Sequence, residues 1–249
     1  MNPVSFLSRV CGAWRRIRAS ERPARAAIAW AHAHAQAIWR DAVWAIGDLP
    51  DDMYLGVWTG GVEQGCSDGD LQFFGYRAVA YRTLRDIRLH LRVHAPDVRR
   101  FVDAGCGLGR PLYFFSREQF DQLLGYEVAL SIFERSRRQL ERAKFRHKRF
   151  AAISIEHGDA TYLIDLTRDF VLLLYNPFGP VPMARLCGRL KDARVAIHIY
   201  YVNPVHADIL ESILRQPAER IDSFIPVNYY FIDGAAERHH LPDTLGSED

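Results

Sequence analysis

The spacing of apolar residues changes twice along this chain. From Pro23 to Ile46 they recur at Ile28, Ala31, Ala35, Ile38, Ala42 and Ala45, the three-and-four rhythm of a helix, with Gly47 as its stop. The stripe is mostly alanine and suits close packing; His32 and His34 read as solvent-facing. Asp51–Tyr76 then shows no period. Gly56, Gly60, Gly61, Gly65, Gly69 and Gly75 punctuate it, while Tyr54, Trp58, Phe73 and Phe74 argue against disorder. A loop of that length in a compact domain usually carries function. Helical spacing resumes from Arg77 to His94, with Val79, Leu84, Ile87 and Leu91 inward.

From Arg100 the pattern alternates. Short apolar runs at Phe101–Ala104, Leu123–Glu127, Ala151–Ile155, Phe170–Tyr175 and Val195–Val202 predict strands. Between them, Arg110–Gln119, Leu130–Phe145, Met183–Leu190 and, after the last, His206–Leu214 have helical spacing. Ile221–Ile225 and Asn228–Ile232 follow too closely for a crossover helix, so the sheet finishes antiparallel. The fold class is α/β: a doubly wound, mostly parallel sheet with an antiparallel last strand and an N-terminal helical extension. The expected division is 1–76, N-terminal helices and an aromatic, glycine-rich lid segment, and 77–249, the domain that holds the sheet.

Composition narrows the class. At 49% hydrophobic and 25% charged residues, the chain is neither disordered nor low in complexity. No apolar run approaches the ~18 residues that a membrane span needs. A formal charge of +2 argues against a generally basic, DNA-coating protein. Cys11, Cys66, Cys106 and Cys187 are far apart, and His239–His240 have no neighbouring ligands, so no metal is expected. Reduced thiols fit a cytoplasmic location. Met1–Ser20 carries Arg9, Arg15, Arg16 and Arg18 and no acid; it reads as an amphipathic helix, with peripheral membrane contact or organelle targeting as the other readings.

The chemistry gathers at strand ends. Gly105, Gly107 and Gly109 stand directly after a strand and before a helix, where ligands bind in open parallel sheets. A dinucleotide fingerprint would need glycine at position 110, where Arg110 stands, so a nicotinamide or flavin cofactor is disfavoured. A tight turn is the plain alternative. Glu127 ends the next strand, where a carboxylate can accept bonds from a ribose diol. Asp159-Ala160 follows the third strand, where an Asp can meet an adenine amino group or simply close a turn.

Together, Val102-Asp-Ala-Gly-Cys-Gly-Leu-Gly109, Glu127, Asp159-Ala160 and Tyr175-Asn-Pro-Phe-Gly179 resemble a class I S-adenosylmethionine-dependent methyltransferase over residues 77–232. The resemblance implies a seven-strand sheet whose last strand is antiparallel. It implies that Gly105, Gly107 and Gly109 pass under the methionine part of S-adenosylmethionine and that Asp103 braces their loop. Glu127 would hold the ribose hydroxyls, and Asp159 with Ala160 the adenine. More narrowly, Asn176-Pro-Phe-Gly179 and Tyr201-Val-Asn-Pro-Val-His206 look like a bacterial group similar in places to the non-SET histone-lysine methyltransferases. Pro111 and the loosely matching Tyr54-Leu-Gly-Val-Trp-Thr59 depart from it.

Asn176 and Phe178 are the catalytic candidates. Asn-Pro-Phe resembles the Asp/Asn-Pro-Pro-Tyr/Phe loop of amino-group methyltransferases with one proline missing. That resemblance implies that a side-chain carbonyl accepts from the target amine and that the aromatic ring walls the pocket. A strand-ending turn is the alternative, and Asn203-Pro204 carries the same ambiguity. The expected activity is methyl transfer to an amine nitrogen, of a protein lysine or another acceptor. The competing readings are an O-methyltransferase on a lipid or small molecule, with His198 or His206 as base, and a non-catalytic cofactor-binding regulator. The basic run Arg135–Arg149 reads as a solvated helix face or as a nucleic-acid contact.

Overall fold

The apolar runs fold as strands that are covered on both faces. β1 (Arg100–Ala104) and β4 (Phe170–Tyr175) lie side by side at the centre, and their residues are buried almost without interruption. β2 (Gln122–Glu127) and β3 (Ile153–His157) extend the sheet on one side. On the other come β5 (Ile197–Val202), then β7 (Val227–Ile232), then β6 (Glu219–Ile221) at the edge. The order is β3-β2-β1-β4-β5-β7-β6; β7 runs antiparallel to both neighbours and the other pairs are parallel. The doubly wound sheet with an antiparallel last strand is therefore as the sequence reading has it.

The computed structural model describes residues 47–60 and 76–234. The helix expected over 23–46, the Arg-rich first twenty residues, Cys11, Cys66, Phe73, Phe74 and His239–His240 lie outside the described residues. The chain divides into two compact units, Met1–Pro50 and Asp51–Asp249. Of the first, residues 47–50 are described and are helical, past the glycine where a helix was expected to stop.

In the second unit, residues 51–55 are helical. The periodicity there is hard to read because an inward position belongs to a buried carboxylate, Asp52, beside Leu55. Among the described residues six α-helices then follow: α1 (Tyr81–His94), α2 (Arg110–Phe115), α3 (Leu130–Arg146), α4 (Ala160–Leu163), α5 (Pro180–Lys191) and α6 (Ala207–Leu214). α1 starts four residues later than its spacing predicts, because Ala78, Val79 and Ala80 are all buried in extended chain. Three consecutive apolar residues cannot share one face of a helix. β6 also sits earlier than expected, since 222–226, with Pro226, make the turn into β7.

Alternate strand residues go to opposite faces. Val102, Leu124, Leu172, Ile199 and Tyr201 join Met183, Leu186, Leu190 and Leu210 in one apolar cluster, which places α5 and α6 on that face. Phe101 meets Phe115 and Phe120 on the other. The strand order reverses between β1 and β4, and in open parallel sheets that crevice, at the carboxyl ends of the strands, is the usual ligand position. Among the described residues, no helix is long and apolar enough to cross a membrane.

Candidate active site

The glycine loop leaves β1 at this crevice, and its backbone is fixed from two directions. The N–H groups of Gly105 and Cys106 donate to the Tyr126 carbonyl at 3.0 and 2.9 Å. The Gly107 N–H donates to Glu127 Oε2 at 2.9 Å. Glu127 is buried, and its Oε1 accepts from the Ala129 N–H at 2.8 Å. Burial pushes its pKa up, against the lowering effect of these N–H bonds. Glu127, one strand over, thus braces the loop through its side chain.

Asp103 has a different character. It is wholly buried, and its Oδ2 has no hydrogen-bond partner among the described residues. Burial, and secondarily the charge of Glu127, push its pKa up to about 8. A desolvated carboxyl beside a second carboxylate is a place where a cation would be stabilised.

Two glycines are required by what covers them. Gly105 has φ +83°, and a Cβ there would stand 2.6 Å from Cβ of Pro177. Gly107 has φ +55°, and a Cβ there would enter the Tyr76 ring. The Asn176 corner, after β4, is therefore seated directly on the glycine loop. Tyr76 lies over the loop from the segment preceding α1, and its hydroxyl donates to the Thr59 carbonyl. Gly109, at φ +81°, precedes α2.

Arg110 opens α2 and is the group that sequence reasoning used only as a missing glycine. Its guanidinium is buried, 3.6 Å from the Asp52 carboxylate, with Nε donating to Thr59 Oγ1 at 2.7 Å and Nη1 to the Val79 carbonyl at 3.0 Å. Asp52 accepts in addition from the Thr59 N–H, the Thr59 hydroxyl and the Tyr81 hydroxyl at 2.8, 2.6 and 2.6 Å. This buried ion pair ties residues 52–59 to the helix behind the glycine loop. In the sequence Arg110 stands among Leu108, Gly109, Pro111 and Leu112, whereas Asp52 follows Asp51, so only the arginine has an apolar setting.

Asp159 caps α4: Oδ1 accepts from the Thr161 N–H at 2.8 Å, and Oδ2 lies 3.3 Å from Arg185 Nη1. Ala160 is buried next to it. Asn176 adopts φ +44° and is half-buried, and its Oδ1 accepts from the Tyr201 hydroxyl at 3.3 Å. That hydroxyl also accepts from the His206 N–H at 3.2 Å, which leaves its own proton for Asn176 and fixes which amide atom faces it. Phe178 is buried in the same core cluster as Met183 and Tyr201, so it anchors the corner from below. His198 lies near the start of β5, its Nδ1 2.8 Å from the Tyr229 hydroxyl; burial holds its pKa down at about 4. In the basic run, Arg137 pairs with Glu141 and Arg138 with Glu134 on exposed helix, so part of that charge is neutralised locally.

The sheet order and the glycine loop at the β1–β4 crevice are now decisive for architecture. The fold is that of the class I methyltransferases. No family model matches the chain, and no curated protein matches it. Among solved structures, it is similar to the methyltransferase domain of a bacterial CtHen1, at 12% identity, covering 60% of this chain and 98% of that one, with a TM-score of 0.46. A second is the PH0226 protein of Pyrococcus horikoshii OT3, at 12% identity, covering 61% and 91%, TM-score 0.47. A third is an RNA methyltransferase from Salinibacter ruber in complex with S-adenosyl-L-homocysteine, at 14% identity, covering 65% and 96%, TM-score 0.41.

Proposed function

We propose that this protein transfers a methyl group from S-adenosylmethionine to an amine nitrogen. The observation that carries the reading is the meeting of three parts at one crevice: the glycine loop braced by Glu127, the buried Asp103 carboxyl, whose Oδ2 has no hydrogen-bond partner among the described residues, and the Asn176 corner seated on Gly105.

The residues present fit the cofactor. Asp103 Oδ2 is a buried acceptor in need of a cationic partner, and the methionine part of this cofactor carries an ammonium and a sulfonium. Glu127 keeps lone pairs beyond its two N–H bonds, which suits a ribose diol. Asp159 and the Ala160 N–H would meet the adenine edge. Bound there, S-adenosylmethionine supplies a methyl group on a neutral leaving thioether, so no acid is needed to expel the product. What remains for the protein is alignment and the exclusion of water. Asn176 Oδ1, its amide oriented by Tyr201, accepts an N–H of the neutral amine and points its lone pair at the methyl group. In this reading the cofactor-binding domain is residues 77–249, and Tyr76, just before it, covers the glycine loop. The amine reading is favoured over transfer to oxygen because His198, one of two candidate bases, is turned toward Tyr229 and Phe231 and away from the carboxyl edge.

Calorimetry with S-adenosylhomocysteine tests this. One site per chain is expected, and Glu127→Ala should weaken binding by about 1.5–3 kcal/mol, the scale of hydrogen bonds to a charged group. Equal preference for a nicotinamide dinucleotide would sink the cofactor assignment. Unchanged affinity in the variant would sink the ribose role.

A further inference from the structure

We infer that His90, His94 and Glu219 bind one divalent transition-metal ion, zinc by preference, where the last turns of α1 meet the edge strand β6.

His90 and His94 stand four apart on α1 and so share one face. Their rings are parallel, with centroids 3.9 Å apart and planes 5° apart. Glu219 opens β6. The register sets it opposite Tyr229, and Tyr229 opposite Tyr200, so the three side chains form one row on the face that meets α1. One ligand atom from each of His90, His94 and Glu219 lies within 4.8 Å of the other two. Ligands bound to zinc at ~2.0–2.2 Å in a tetrahedron are roughly 3.3 Å apart. His94 and Glu219 are exposed, so side-chain rotation alone can close that difference.

His90 has the surroundings of an oriented ligand. Its Nδ1 is 3.0 Å from the hydroxyl of buried Tyr200, and its Nε2 is 3.2 Å from Glu219 Oε1. Ligating histidines characteristically engage the second nitrogen in this way. Without an ion, the Tyr200 hydroxyl donates to Nδ1 and the Nε2–H donates to Glu219. With an ion, the tautomer reverses: Nδ1–H donates to Tyr200, and Nε2 and the carboxylate both face the metal. Neither arrangement leaves His90 unsatisfied. His94 makes no hydrogen bond among the described residues and is held by stacking on His90 and by the Tyr229 ring, 5.6 Å away. Two imidazoles and a carboxylate suit zinc, and they leave a fourth position to water. Sequence inspection misses the site because Glu219 lies 129 residues beyond His90. The ion would clamp α1 to β6, a three-residue strand paired on one side only.

The test uses the tag-free full chain, stripped with a chelator and titrated with zinc(II) by calorimetry and with cobalt(II) by visible absorption. One equivalent is expected, with cobalt bands of low coordination number and a melting temperature raised by zinc. His94→Ala and Glu219→Gln, both at exposed positions, should each weaken binding at least tenfold and lose the thermal shift, with S-adenosylhomocysteine affinity unchanged. A variant with His239→Ala and His240→Ala should bind as the parent does. The inference is overturned if the parent binds no zinc, if affinity survives both His94→Ala and Glu219→Gln, or if it is lost only on removing His239 and His240.

Discussion

Two corners of this molecule share a sequence and a backbone but not a setting. Asn176-Pro177 leaves β4 and Asn203-Pro204 leaves the adjacent β5, and in each the asparagine has a positive φ, 44° and 51°. Asparagine enters that region at less cost than most residues because its side chain bonds locally. The first corner is half-buried, rests on Gly105 through Pro177, and receives the Tyr201 hydroxyl. The second is exposed, and its N–H goes to the Pro226 carbonyl at 2.8 Å. The difference teaches that an Asn-Pro dipeptide at a strand end is a turn first. It becomes a candidate site only where the sheet order puts a ligand loop against it, and β4 has β1 as its neighbour while β5 does not.

The seat is the part most easily broken. Gly105→Ala adds a Cβ 2.6 Å from Pro177 in a left-handed conformation. The conformational cost is about 1–2 kcal/mol, and overpacking adds ~1–3 kcal/mol. Denaturant unfolding should show that loss together with collapse of S-adenosylhomocysteine binding. A stable variant that binds normally would mean that the corner and the loop are not coupled.

The two asparagines themselves come next. Asn176→Ala should lower methyl transfer by about 10²-fold, the scale of lost alignment, with cofactor affinity retained. Asn203→Ala should stay within roughly threefold of the parent, as fits a residue outside the alignment. The assay is tritiated methyl incorporation into whichever lysate fraction accepts it. Equal losses in the two variants would erase the distinction and return Asn176 to the role of a turn.

Much of this was legible before folding. The strand runs could be read because strands buried on both faces are continuous apolar blocks: Phe170–Tyr175 falls as its sequence predicts. The glycine loop was legible because its residues are contiguous. What stayed hidden depended on partners distant in sequence. Asp52 and Arg110 lie far apart in the chain, and only the fold buries them together. Phe178 is expected as a pocket wall because the residue type says nothing of its facing, and it is buried in the core cluster. Tyr201 was visible as part of a motif, yet its hydroxyl's reach to Asn176 exists only once β4 and β5 pair.

The corners also differ in the charge beneath them. Asp103 lies two residues before Gly105, buried, with its pKa raised to about 8 from the ordinary carboxyl value. Between about pH 4 and about pH 8 the folded state therefore holds a proton that the unfolded state releases. Stability should fall as pH rises across that window and level off above it, by at most ~1.4 kcal/mol per pH unit. Asp103→Asn should flatten the slope, read as denaturation midpoints at pH 5 and pH 7.5, and should weaken cofactor binding. An unchanged slope would place the buried charge elsewhere.

The smallest expected effect concerns the link between the corners. The Tyr201 hydroxyl donates to Asn176 on one side and accepts from the His206 N–H on the other, so one side chain of β5 orients the corner of β4. Burial pushes its pKa up to about 12, so it stays a neutral donor through the working range, and no pH step in rate should trace to it. Tyr201→Phe removes both bonds and keeps the ring in the core. A stability loss of about 1 kcal/mol is expected, the net worth of an ordinary hydrogen bond. Methyl transfer should fall less than for Asn176→Ala, by roughly five- to tenfold, because the amide can still find its orientation part of the time. Cofactor affinity should not change. If Tyr201→Phe turns over like the parent while Asn176→Ala does not, the asparagine is oriented by its own backbone alone. If the two variants lose activity equally, the hydroxyl itself reaches the acceptor, and Tyr201 rather than Asn176 becomes the group to follow.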